Sequence, residues 1–86
     1  MPDKGGYYSD TGYYLTKLGK LDQAYTYLKK GAELEKENAI ILLNFGVLCM
    51  QMKKYSEARK VLEKVAELEP DWDQPGQYLK YINEQT

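Results

Sequence analysis

One thiol, Cys49, and a scatter of carboxylates are the side chains of this 86-residue chain that could do covalent or acid–base work. A cysteine attacks as its thiolate and needs a nearby base or cation to form it. The sequence holds no histidine, which removes the commonest general base and the commonest transition-metal ligand. Cys49 also sits in AIILLNFGVLCMQM, residues 39–52, where only Asn44 and Gln51 are polar. Free cysteine is among the most buried residue types, so Cys49 is expected to be an inert packing thiol. A lone cysteine further excludes an internal disulfide and a cysteine metal cluster. Glu33, Glu35, Glu67 and Glu69 are mixed with Lys29, Lys30, Lys60 and Lys64. In that mixture they read as solvated charge with weak helix pairing. No phosphate loop or nucleotide fingerprint is present, and Gly5-Gly6 reads as flexible lead. The sequence therefore predicts no enzyme, no cofactor and no metal site.

Recognition is the remaining chemistry. The formal charge is -1 with a pI near 5.4, which lacks the basic field of a general nucleic-acid binder. Charged residues make up 29% of the chain and the mean hydropathy is -0.67. Residues 39–52 are too few to cross a bilayer, which takes about 20 apolar residues. No lysine-rich amphipathic face suggests a membrane surface. MPDKGGYY has no apolar signal core, so a cytoplasmic chain is expected. Nine tyrosines stand out, each with a large apolar body and one polar tip.

The elements that must position these groups read as helices throughout. The sequence predicts five, near 7–18, 22–35, 39–52, 56–69 and 75–85, with 1–6 as a flexible lead. Asp22 and Ser56 are expected N-caps, because their oxygens can accept from first-turn amides. Pro70 stops the fourth helix and Pro75 starts the fifth.

A period underlies the pattern. Residues 7–36 set against 41–70 match at nine positions without a gap, including Gly12/Gly46, Ala24/Ala58, Leu28/Leu62 and the block AELE at 32–35 and 66–69. A shift of 34 that lays a helix pair over a helix pair marks a stacked helical array. Glycine within a helix costs about 1 kcal/mol relative to alanine, and close helix approach is the usual reason, with Ala24 and Ala58 as the small partners.

These residues resemble a tetratricopeptide repeat, whose 34-residue pattern is W-x2-L-G-x2-Y, A-x3-F and P. In the second copy Leu42, Phe45-Gly46, Cys49, Ala58, Leu62 and Pro70 stand at those sites. In the first they are Tyr8, Thr11-Gly12, Leu15, Ala24, Leu28 and Lys36. The third copy begins at Asp73 and stops after one helix. The resemblance implies an all-α, right-handed α–α superhelix made of two helical hairpins and a C-terminal capping helix. Its divisions would be a repeat over 7–38, a repeat over 39–72 and a cap over 73–86.

The periodicity then explains why the middle helix is apolar nearly all round. Leu42, Phe45, Cys49 and Met52 share one face and should pack on Ala58, Val61, Leu62 and Val65 of the same hairpin. Ile41 and Leu48 should meet the preceding repeat. The third face carries Ile40, Leu43, Asn44, Val47, Met50 and Gln51, which the resemblance places on a concave groove. Tyr13 and Lys17 of the first helix and Tyr78 and Tyr81 of the last join that candidate peptide-binding set. Tyr8, Tyr14 and Tyr55 are expected to pack between helices, whereas Tyr13, Tyr78 and Tyr81 either line the groove or pack at its end.

Some members of the family grip a peptide's terminal carboxylate with basic groove residues. Here Ser9, Tyr13, Gln74 and Tyr78 occupy those sites and only Lys17 is basic nearby, so an acidic chaperone tail is not the expected ligand. The expected function is an adaptor or scaffold module whose groove binds a peptide or helix with apolar anchors. The alternative is a self-associating structural segment, a homodimer or part of a longer array, since two and a half repeats are few for a free-standing one.

Overall fold

The computed structural model describes residues 4–85. Five helices follow in order: α1, Lys4–Lys17; α2, Leu21–Leu34; α3, Ala39–Gln51; α4, Tyr55–Leu68; and α5, Gln74–Gln85. No strand occurs among the described residues. Helix α1 pairs with α2, and α3 with α4; α3 leans on α2 and α1, and α5 leans on α4 and α3. The result is elongated, 38 × 27 × 17 Å.

Residues 4–6, expected as flexible lead, are instead the first turn of α1, and Gly5 is buried. The reason is packing: Gly31 of α2 lets the α1 backbone come close, since a Cβ there would stand 3.1 Å from Gly5 O and 3.3 Å from Ser9 N. Residues 1–3 of that lead fall outside the described residues.

The 34-residue period recurs in the hydrogen bonds. After α1, Lys20 N–H donates to Leu15 O at 2.9 Å; after α3, Lys54 N–H donates to Cys49 O at 2.8 Å. These six-to-one closures force the residue before them into the left-handed region, at φ 80° for Gly19 and φ 63° for Lys53. Lysine is strained there, because its Cβ crowds the following carbonyl. Lys53→Gly should therefore raise stability by about 0.5–1 kcal/mol, seen as a melting temperature a few degrees higher. A lower melting temperature would show that the lysine side chain matters more than its backbone strain.

These tight turns also correct the expected caps. Asp22 and Ser56 lie inside their helices, and Lys20 and Lys54 precede α2 and α4 without any side-chain cap bond. The turn leaves no residue free to serve as a separate cap. Asp22 and Glu57 still place negative charge at the positive helix starts. Asn38 does cap α3, its Oδ1 accepting from Ile41 N–H at 3.3 Å while its Nδ2 donates to Glu35 at 3.2 Å.

Gly12 and Gly46 mark a close helix approach in each hairpin. A Cβ on Gly12 would stand 2.6 Å from Leu28 Cγ, and one on Gly46 would stand 2.9 Å from Leu62 Cγ. The partners are these leucines rather than the expected Ala24 and Ala58, which are nevertheless fully buried. Leu28, Leu48, Leu62, Val65, Cys49 and Ile82 complete a core running the length of the array.

Candidate functional site

Helix α3 buries two of its faces. Leu42, Phe45 and Cys49 are buried, Phe45 with its ring 5.5 Å from that of Tyr25 in α2, and Ile41 and Leu48 are buried beside them, Ile41 next to Gly31 of α2. Its third face borders a recess of about 440 Å³, open to solvent along one side. Leu43, Asn44, Val47 and Gln51 come from α3, Tyr13, Thr16 and Lys17 from α1, and Tyr78 from α5. Buried Leu28 and Leu48 form the floor. Helix spacing explains the α3 contribution, since 43, 44, 47 and 51 recur every three to four residues along one side.

Three expected members lie elsewhere. Ile40 shares that side but sits in the first turn of α3, beyond the recess, and is 64% exposed. It borders a wider, charged hollow of about 650 Å³ with Glu35, Glu37, Glu69 and Trp72 at the loop end of the array. Met50 is half-buried and packs against the core. Tyr81 is exposed and stands near Tyr55 of α4, where burial and then the Tyr81 phenol hold the Tyr55 hydroxyl above its ordinary pKa. Leu28 and Leu48 were not anticipated as lining; their only signal was the period that made them core. Ser9, aligned with groove positions, is buried against α2, beside Gly31. Tyr14, expected to pack, is exposed, because it lies on the side of α1 away from both α2 and α3.

The lining carries no carboxylate and one cation. The Lys17 ammonium lies 5.2 Å from the Tyr13 ring centre, which holds that charge at the rim. Asn44 and Gln51 offer amide donors and acceptors beside the apolar Leu43 and Val47. The arrangement can bury apolar anchors and hydrogen-bond a backbone. Among the described residues no cluster of histidine, cysteine or carboxylates is placed to hold a metal.

A second cluster, not foreseen in the sequence, braces the array on another side. The Tyr25 hydroxyl donates to the Glu57 carboxylate, at 2.7 and 2.9 Å to its two oxygens. The Tyr25 ring packs on Phe45 at 5.5 Å, and the ammonium groups of Lys54 and Lys29 lie 5.0 and 5.7 Å from its centre. Position 59, one period on, holds arginine, so the brace has no repeat that could have revealed it. Burial, then the bond to Glu57, push the Tyr25 phenol from 10.0 up to about 12.

Cys49 is fully buried, and that burial pushes its thiol from 9.0 up to about 12, with Glu57 adding and Lys54 and Lys29 opposing. Both shifts favour the protonated form in the fold. Their contribution to stability is fully present below about pH 9, the ordinary thiol value, and is lost as pH rises toward about 12. Thermal melting should therefore hold steady from neutrality to about pH 9 and fall beyond it. An aromatic disulfide reagent at pH 8 should leave the folded thiol untouched for hours and titrate it on denaturation. Rapid reaction in the native state would contradict that burial.

Residues 15–80 match the tetratricopeptide repeat family. Among curated proteins none matches the sequence significantly. Among solved structures, the chain is similar to the tetratricopeptide repeat domain of Arabidopsis OM64 at 20% identity and a TM-score of 0.87, covering 98% of this chain and 69% of that one. It is similar to MamA from Desulfovibrio magneticus at 25% identity and a TM-score of 0.86, covering 99% of this chain and 48% of that one. The first repeat domain of Spaghetti, solved with an HSP90 peptide, SRMEEVD, matches at 21% identity and a TM-score of 0.55, covering 95% of this chain and 92% of that one. The chain thus spans less than half the length of the MamA structure it matches.

Proposed function

The chain belongs to the tetratricopeptide repeat family, whose fold supports protein–protein interaction, and from that membership we propose that it is an adaptor whose recess holds a peptide or helix with apolar anchors. One observation carries this reading. Leu43 and Val47 stand half-exposed over the buried Leu28 and Leu48, between the polar Asn44 and Gln51 and the rings of Tyr13 and Tyr78. An apolar side chain entering there would lose its water and keep polar neighbours for its backbone.

The charges argue for the kind of ligand. Lys17 is alone as a cation in the lining, and buried Ser9 offers nothing to the recess. A carboxylate gripped by one rim lysine gains little in water. The reading therefore favours an anchor peptide over an acidic terminal tail. A non-catalytic, cytoplasmic role is part of the same proposal. Among the described residues no helix is long and apolar enough to cross a membrane.

Selection from a random peptide library tests this. Enriched sequences should carry apolar side chains at regular spacing and should bind equally well with a blocked C-terminus. Leu43→Glu with Val47→Glu should keep the helical spectrum and lose at least about tenfold in affinity, since each new carboxylate would have to be desolvated under the ligand. A folded double variant that binds as before, or ligands that demand a free acidic terminus, would refute the reading.

A further inference from the structure

The three copies of the repeat use one pair of positions in different ways. Ile41 and Leu48 of α3 are 4% and 1% exposed, pressed on the preceding hairpin. One period later Pro75 and Ile82 of α5 are likewise buried. One period earlier the positions belong to α1 and hold Tyr7 and Tyr14, which are 62% and 63% exposed. Leu18 extends the same side and is also exposed, with Thr11 half-exposed between them. The spacing Tyr7, Thr11, Tyr14, Leu18 steps by four, three and four, the pattern of a helix seam.

We propose that this face of α1 is a self-association surface, covered by α1 of a second copy of the chain in an antiparallel, two-fold arrangement. Two features select that occupant. The first is charge. Setting Tyr7 against the second copy's Leu18 and Thr11 against its Tyr14 brings Asp10 opposite its Lys17, and the reverse by symmetry. Asp10 and Lys17 are both exposed, lie on one edge of the seam and have opposite sign. A two-fold contact uses each such pair twice.

The second feature is the opposite end of the array. A head-to-tail stack would need the outer side of α5 to accept a helix as α1 accepts α2. The position of Gly12 and Gly46 holds Lys80 in α5, and the position of Cys49 holds Asn83, which accepts from Arg59 Nη2 at 3.0 Å. A lysine where close approach needs glycine disfavours that contact, so the two-fold pairing of α1 is favoured over a head-to-tail one. A contact of three or four helical turns buries less than about 1,200 Å², the range of weak, reversible complexes. The tyrosines suit it, since their hydroxyls stay wet when the copies part.

Sedimentation equilibrium of the whole chain from about 10 µM to about 1 mM tests the proposal. The average mass should climb from 10.0 kDa toward twice that value. Tyr7→Lys with Tyr14→Lys should stay monomeric throughout with an unchanged helical spectrum, since both side chains are exposed. Asp10→Lys should weaken association roughly 3- to 10-fold, and adding Lys17→Asp should restore most of it. Three results would overturn the proposal: a wild-type monomer at the highest concentration, which would leave the face to another partner or to water; association that survives the paired tyrosine change; or a charge swap that fails to restore what Asp10→Lys removed.

Discussion

Ending the chain at Asp73, so that α5 is gone, should abolish cooperative unfolding above room temperature. Ile82 is fully buried, as is Pro75, and Tyr78 and Leu79 pack against the same core. Losing Ile82 alone removes about 1.5–3 kcal/mol of apolar burial. The loss of the other three, and the new exposure of α4 and α3 where α5 lay, adds to it. A domain of this size holds only about 5–15 kcal/mol in total, so the deletion consumes most of it. Circular dichroism on heating would show a sloping, non-cooperative loss of helix. A truncated chain melting within a few degrees of the full one would mean that α5 is docked without being part of the core.

The second large effect is at Leu62, fully buried against Gly46 of the same hairpin. Leu62→Ala should cost about 2–5 kcal/mol, since a core leucine leaves a cavity that its surroundings only partly fill. For a domain of 60–100 residues that is a fall of about 10 °C or more in melting temperature. The informative experiment is the pair with Gly46. Gly46→Ala alone places a Cβ 2.9 Å from Leu62 Cγ and should destabilise, despite alanine's better helix propensity. In the Leu62→Ala background the same change should stabilise, because the obstructing atoms are gone. A coupling of about 1 kcal/mol or more is expected between the two sites. Additive effects would show that Gly46 is present for a reason other than Leu62.

How far the sequence carried these conclusions differs from residue to residue. The 34-residue shift placed every helix within a few residues, because Gly12/Gly46 and Leu28/Leu62 carry packing information that repeats. Asp22 and Ser56 misled, since cap preference is local while the start of each helix is set by the left-handed residue before it. The face of α3 was legible at Leu43, Asn44, Val47 and Gln51. Periodicity gives an angle around a helix but no position along its neighbours, and Ile40 and Tyr81 missed the recess for that reason. Tyr14 looked like a packing residue from its type; its repeat partners Leu48 and Ile82 would have said that it needs a neighbour in front. The Tyr25–Glu57 brace joins positions 32 apart with no second copy, so no pattern could announce it.

Among the described residues the backbone of each helix approaches only the next helix or the one after it: α1 comes close to neither α4 nor α5, and α2 does not reach α5. Unlike a closed globule, such a string has no need to open all at once. Backbone amides should exchange with solvent in a gradient, fastest toward the two extremities and slowest in α3, which is flanked on both sides. The same locality means that little chain must be looped before contacts begin to form, so refolding should be quick for the chain's length.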